Sequence, residues 1–300
     1  MPVFDHGNAR LFYEDQGEGP VVVTTHGVAE NHLYWKLPGI VDRLLSAGYR
    51  VISTDMRGHG RSTVAGDPKG FDVDTVASDF SALADHLDLD GFHLLTHATG
   101  GKAGLRYAMS NPPRLLSLMS TNTSSATAPD NEVAEVTDPD VKFQRLGIGR
   151  NPMVQAFKGK PWYQILRLAR ENAARDVFLN RMEFSVDPEA AFAWFEACLR
   201  RGDPDTLAEF MNGFYTDLDP YIARLRTIRC PCLILVGDHD EMYLKPSQQL
   251  AREIPNAKLV VLEGRGHMTA FEDPQRTADE LLAFLATVAQ PLALRQAADA

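Results

Sequence analysis

Cysteine is scarce. The three in 300 residues, Cys198, Cys230 and Cys232, offer no disulfide framework. Cys230-Pro231-Cys232 is too tight for the C-x-x-C spacing of zinc or dithiol sites, so all three are expected as small buried apolar side chains and no metal is expected. Long apolar runs are missing too: none approaches the ~18 residues needed to cross a bilayer. The amino terminus, Met1-Pro2-Val3-Phe4-Asp5-His6, has neither a basic n-region nor an apolar h-region, so no secretory signal is read there and the expected location is the cytoplasm. Positive charge is in deficit, with 30 Lys and Arg against 40 Asp and Glu, a formal net charge of −10 that argues against nucleic acid as a partner. There is no dinucleotide fingerprint, P-loop or metal-ligand cluster, so no cofactor is expected. Internal repeats and low-complexity segments are also absent.

What is present is a rhythm. Short apolar, β-branched runs alternate with helical patterns through the first 122 residues: strands at about 9–16, Val21–Thr25, Tyr49–Asp55, 92–97 and Leu115–Thr121, helices at Leu33–Ala47, from Asp74 to about Leu87, and from the 98 region to about Ser110. Such alternation predicts a mostly parallel sheet with helices on both faces. From 123 to 226 the rhythm changes to helices at Trp162–Arg181, Pro188–Arg201 and Pro204–Phe214, after a long loop, Ala126–Asn151. Strands return at Pro231–Gly237 and Ala257–Glu263, with helices at Pro246–Ile254 and Pro274–Ala289. The expected organisation is a core of residues 1–122 and 227–290, a helical cap or lid at 123–226 inserted after the sixth core strand, and a C-terminal tail at 291–300.

The chemistry gathers where predicted strands end, the edge at which open α/β sheets bind ligands. In Phe92-His93-Leu94-Leu95-Thr96-His97-Ala98-Thr99-Gly100-Gly101-Lys102, a strand meets a glycine pair and a helix, the layout of a nucleophile elbow. Its usual frame is G-x-S-x-G. Here Thr96-His97-Ala98-Thr99-Gly100 puts alanine at the nucleophile position, and a methyl group attacks nothing. His26-Gly27-Val28 follows an earlier strand; Asp240 in Gly237-Asp238-His239-Asp240 and His267 in Gly264-Arg265-Gly266-His267 follow later ones. Elbow, acid and histidine thus stand in the order Ser…Asp/Glu…His.

With Asp55-Met56-Arg57-Gly58-His59-Gly60-Arg61-Ser62, these five motifs in order make the chain resemble an α/β-hydrolase of the capped esterase, lactonase and epoxide-hydrolase type over residues of about 5–288. The resemblance implies that His267 is the general base and Asp240 its orienting acid, with the backbone N–H groups of Val28 and Thr99 as oxyanion hole. It gives His26 a supporting role in the oxyanion turn, and His59, Arg61 and His97 no catalytic one. Glu30, Asn31, His32, Trp35, Lys102, Trp162 and Tyr163 are candidate pocket residues. Each has a plainer reading as a loop, helix or core side chain.

Three readings of Ala98 stand. A carboxylic-ester or lactone hydrolase has had its serine at 98 replaced; or a natural enzyme without a nucleophile uses His267–Asp240 for proton transfer or water activation, as cofactor-independent oxygenases and lyases of this fold do; or the chain is a small-ligand binding module. The first is the expectation, with a mid-sized apolar ester or lactone as substrate and a homodimer as a compatible state. An aspartate at 98, as in epoxide hydrolases, is less expected, because no cap tyrosine pair is assignable among Tyr163, Tyr215 and Tyr221. Two departures bear on the choice. Thr96 occupies a position usually held by glycine, and Lys102 is either laid along apolar neighbours toward the surface or a desolvated amine facing the pocket.

Overall fold

The computed structural model describes residues 2–67, 69–126, 152–217, 219 and 221–298; most of the loop expected at Ala126–Asn151, including Phe143, lies outside them. The strands are β1 (Val3–His6), β2 (Ala9–Gln16), β3 (Val21–Thr24), β4 (Arg50–Thr54), β5 (Thr63–Val64), β6 (Phe92–His97), β7 (Leu115–Thr121), β8 (Cys232–Gly237) and β9 (Ala257–Leu262). They form one sheet in the order β1-β2-β4-β3-β6-β7-β8-β9, with β5 on β2. β2 runs antiparallel to β1, β4 and β5, and every pairing from β4 to β9 is parallel.

The central strands β3, β6 and β8 are buried at every residue, which is why β3 and β8 read as nearly continuous apolar runs rather than alternating ones, while β6 also buries His93, Thr96 and His97. Period-two alternation sends neighbours to opposite faces. Val23 and Leu94 pack with Val76, Phe80 and Leu83 of α3 (Val73–His86) and Leu105 of α4 (Ala98–Ala108). Val22 and Leu95 pack with Tyr34 and Trp35 of α1 (Leu33–Lys36), Ile40 and Leu44 of α2 (Ile40–Ser46), and residues of the closing helix. A fully buried leucine of this kind contributes ~2–3 kcal/mol.

Between β7 and β8 lie α5 (Pro152–Phe157), α6 (Trp162–Asn172), α7 (Pro188–Leu199), α8 (Pro204–Phe214) and α9 (Ile222–Leu225). Asp187 and Asp203 cap α7 and α8 by accepting from Ala190 N and Thr206 N, each followed by a proline that fits the first helical turn. Val154, Phe157, Ile165, Leu166, Leu207 and Met211 give this segment its own small core, and Ala29 of the sheet domain joins it. Phe210 and Phe214 of α8 anchor it to the main core. After β8 come α10 (Leu244–Glu253), α11 (Thr269–Glu272) and α12 (Pro274–Ala298).

Several boundaries differ from expectation for local reasons. Leu33–Ala47 is two helices, because Gly39 sits at φ 81° directly after Pro38. Trp162–Arg181 ends as an α-helix at Asn172 and passes into a 3₁₀ turn at Ala173–Arg175. Asp72, not Asp74, caps α3 by accepting from Thr75 N. The closing helix continues beyond 289 to Ala298, through the segment expected as a tail, whose Ala, Leu, Gln and Arg are good helix formers.

Candidate active site

Every side chain that sequence reasoning placed in catalysis lies at the carboxyl edge of the sheet. β6 ends at His97, and Ala98 follows at φ 45°, a left-handed conformation that costs a non-glycine residue about 1–2 kcal/mol. The turn holds this shape because neighbouring backbone comes very close. A Cβ at Gly100 would collide with the carbonyl oxygen of His26, and one at Gly101 with Thr123. Gly100 N instead donates to His26 O at 3.1 Å, while Thr123 Oγ1 donates to Ala98 O at 2.6 Å. The strained left-handed turn is therefore held around a methyl group. Thr96 fits because Gly104 stands opposite: the Thr96 methyl occupies the space a Gly104 side chain would need, and its hydroxyl meets Ser120 Oγ at 3.0 Å.

Asp240 and His267, separated by 27 positions, meet through Nδ1···Oδ2 at 2.9 Å. The Asp240 carboxylate is fixed from three more directions. Asn122 Nδ2 donates to Oδ2 at 2.9 Å, and Met242 N and Tyr243 N donate to Oδ1 at 3.2 and 3.1 Å. Asn122 also donates to Gly266 O and accepts from Thr269 Oγ1, so one buried amide joins the acid to the loop bearing the histidine. Glu272 clamps that loop from behind: its carboxylate accepts Gly266 N at 2.5 Å and Met268 N at 3.0 Å, the amides on either side of His267. Burial is the larger influence on Glu272 and raises its pKa, against the lowering effect of those two amides. The His267 ring stacks on Tyr243 at 5.1 Å and meets Phe178 of the cap edge-on at 4.8 Å. Asn122, Glu272, Tyr243 and Phe178 carry no motif, and only their contacts in the fold reveal them.

On the other side of Ala98, His26 Nε2 accepts Met56 N at 3.1 Å, so its proton sits on Nδ1 and is donated to Gly27 O at 2.7 Å. Burial lowers its pKa to about 4, which keeps it neutral and structural. Ala29 at φ 64° bends the turn past the half-buried Val28, and Glu30 folds back so that Oε2 accepts Gly27 N at 2.6 Å. Desolvation raises the pKa of Glu30 to about 8. Thr99 is the second residue of α4, where a backbone N–H has no acceptor within its own helix; its hydroxyl meets Tyr215 OH at 2.6 Å.

The remaining candidates are engaged elsewhere. Asn31 donates to Cys198 O at 2.6 Å and accepts Leu33 N, tying the turn to α7. His32 bonds Asp55 at 2.8 Å, and Trp35, a core residue, gives its indole N–H to Thr25 O at 2.8 Å. Lys102 is buried rather than directed to the surface. Its Nζ donates to Asp217 O at 2.7 Å and lies 5.6 Å from the Phe214 ring centroid, and desolvation lowers its pKa to about 7. Trp162 donates to Gly202 O at 2.8 Å inside the cap, and Tyr163 is 75% exposed on α6. The Gly27 turn, Ala98 and the Asp240–His267 pair therefore lie close together, with His97 against the His267 ring at 4.9 Å, while Asn31, His32, Trp35, Trp162 and Tyr163 build or decorate the frame.

Such an arrangement can orient an imidazole, exchange a proton through it and receive negative charge on backbone N–H groups. The description "Alpha/beta hydrolase family" matches residues 21–280. The non-heme chloroperoxidase CPO-A1 of Kitasatospora aureofaciens is 31% identical over 284 residues, covering 92% of this chain and 95% of that protein. The bifunctional esterase/perhydrolase DCH of Acinetobacter calcoaceticus is 26% identical, covering 92% and 95%. Among solved structures, the enol-lactonase from Burkholderia xenovorans LB400 superposes with a TM-score of 0.74 at 21% identity, covering 95% of this chain and all of that one.

Proposed function

The chain belongs to the alpha/beta hydrolase family, and from that premise we propose that it carries the machinery of a carboxylic-ester or lactone hydrolase from which only the nucleophile, at Ala98, is missing. The observation that carries this reading is the left-handed φ of 45° at an alanine. Such strain persists where the surroundings over-determine it, and here they surround a residue with no reactive group.

In the proposed reaction a serine at 98 would lose its proton to His267 as it attacked the substrate carbonyl. Asp240, held by Asn122 and two backbone amides, would keep the imidazole in the tautomer that accepts at the far nitrogen. The Val28 and Thr99 N–H groups would take the developing oxyanion, each such donor contributing about 10²–10³ in rate. Cap aromatics, Phe178 among them, suit a mid-sized apolar acyl or lactone group, and a relative named as an esterase/perhydrolase supports the ester class.

Replacing Ala98 with serine is the test. Ala98→Ser is expected to hydrolyse a p-nitrophenyl ester or a lactone about 10³-fold or more faster than the present chain. Adding His267→Ala should abolish the gain. A second reading, non-covalent proton transfer or water activation by His267–Asp240, is favoured by the buried carboxyl of Glu30 beside the oxyanion turn. It prevails if Ala98→Ser stays inert while the present chain turns over a substrate in a His267-dependent way. Tight ligand binding without turnover by either form would leave a binding module.

A further inference from the structure

Among the described residues, Glu30 is the buried carboxyl whose oxygen holds the Gly27 turn, and the hydrogens around it can be counted. Its Oε2 accepts Gly27 N at 2.6 Å, which leaves Oε1 for any proton the group carries. Oε1 stands 3.8 Å from His97 Nε2. Which nitrogen of His97 bears hydrogen follows from its other neighbour. Thr121 Oγ1 donates its single hydrogen to Thr96 O at 3.3 Å, so it must accept from His97 Nδ1 at 3.0 Å. His97 is therefore the Nδ1–H tautomer, and Nε2 is a bare acceptor, buried without a hydrogen-bond partner among the described residues. At 3.8 Å the two are too far apart for a hydrogen bond, but a bare acceptor offers an ionised Oε1 neither a donor nor a positive charge.

The surroundings favour that state. Glu30 and His97 are 5% and 0% exposed. The charge of Glu30 is felt at Tyr34 of α1, Cys198 of α7 and Tyr215 after α8, none of them a cation. Burial pushes the His97 imidazole well below its ordinary value, and His267, whose ring it faces at 4.9 Å, and His26 lower it further, so it does not supply a positive charge either. The point where a Gly27 Cβ would stand lies 2.9 Å from Glu30 Oε2, 3.1 Å from His97 Cδ2 and 3.3 Å from the Ala98 methyl, so the pair abuts the elbow itself.

We propose that Glu30 is a positioning residue of the site: as a neutral acid, its Oε1 facing the bare Nε2 of His97, it holds Gly27 N–H, and ionisation of Glu30 loosens the turn that presents Val28 N–H. The charged form would be a carboxylate enclosed by an imidazole, two phenols and a thiol, with one amide to compensate it. Moving that turn toward water is the available relief. The catalytic consequence rests on the reading of Val28 as an oxyanion donor, whereas the proton count does not.

The two parts are tested separately. In the chain as it stands, the Gly27 amide proton and nitrogen shifts, followed by NMR against pH, are expected to move together with a protonated-carboxyl infrared band, with a midpoint near 8. Both changes should vanish in Glu30→Gln, which keeps an acceptor for Gly27 N–H and stays neutral at every pH. A carboxyl already ionised at neutral pH, or a Gly27 amide that ignores the transition, overturns the proposal. In Ala98→Ser, kcat/KM is expected to fall about tenfold per pH unit above that midpoint, and the limb should be missing from Ala98→Ser/Glu30→Gln. A limb that survives in the double variant also overturns it. Glu30→Ala in the same background should lose about 10²-fold, with glutamine recovering most of that loss. If Ala98→Ser has no esterase activity, the hydrolase reading fails, and the amide and infrared titrations still decide the role of Glu30.

Discussion

At Ala98 the backbone and the side chain give different answers. A left-handed φ of 45° is strained for any residue other than glycine, yet the side chain held there is only a methyl group. The strain gives a prediction of its own: Ala98→Gly should stabilise the fold by roughly 1 kcal/mol in urea unfolding, since glycine carries no left-handed penalty. A loss of stability would mean that the turn is not strained by its side chain. Asn122 is the second informative residue. It is left-handed at φ 51° and bonds Asp240, Gly266 O and Thr269 at once. Asn122→Ala should cost about 2–4 kcal/mol, because it strips buried partners from a carboxylate and a carbonyl. In the Ala98→Ser background it should lower kcat more than it raises KM. Ala98, Asp240 and His267 stood out as candidates in the sequence because each follows a strand beside a glycine motif. Asn122 was not legible, because its value lies in three contacts, two of them more than 140 positions away.

Elements were legible where composition decides locally and less so where one residue overrides it. The nearly continuous apolar runs of β3 and β8 could be read directly, since burial on both faces removes any need for alternation. β1 and β5 were missed: β1 is only four residues long and β5 two, and both depend on β2 for their pairing. Periodicity carried the first helix across Pro38-Gly39, where the chain in fact breaks. The loop bearing His267 owes its shape to an element after it, through the carboxylate of Glu272 in α11. Glu272→Gln presents one N–H₂ toward a backbone donor, so it should cost about 1–3 kcal/mol. If the clamp also sets the imidazole, kcat of Ala98→Ser falls with little change in KM. An unchanged kcat would confine Glu272 to a structural role.

Across the whole molecule, buried titratable groups make stability depend on pH in opposing directions, so single substitutions are needed to separate them. Burial lowers His26, His59 and His93 to about 4, about 3 and about 4, which removes stability as pH falls below the unfolded histidine value. Lys102, lowered to about 7, adds stability as pH rises from there toward its ordinary 10.5. Glu30 works the other way. Its folded pKa of about 8 lies above the ordinary 4.5, so the contribution of its neutral form is complete below 4.5 and is lost as pH rises through 8. Between those limits the unfolded chain has released a proton that the folded chain keeps, a slope of about 1.4 kcal/mol per pH unit. Comparing the parent with Glu30→Gln cancels the other groups. The parent's unfolding constant should rise relative to the variant by about tenfold per pH unit across that window and level off on either side. Parallel stability curves from pH 5 to 8 would mean that Glu30 is ionised in the folded chain, and its role as a neutral acid would have to be abandoned.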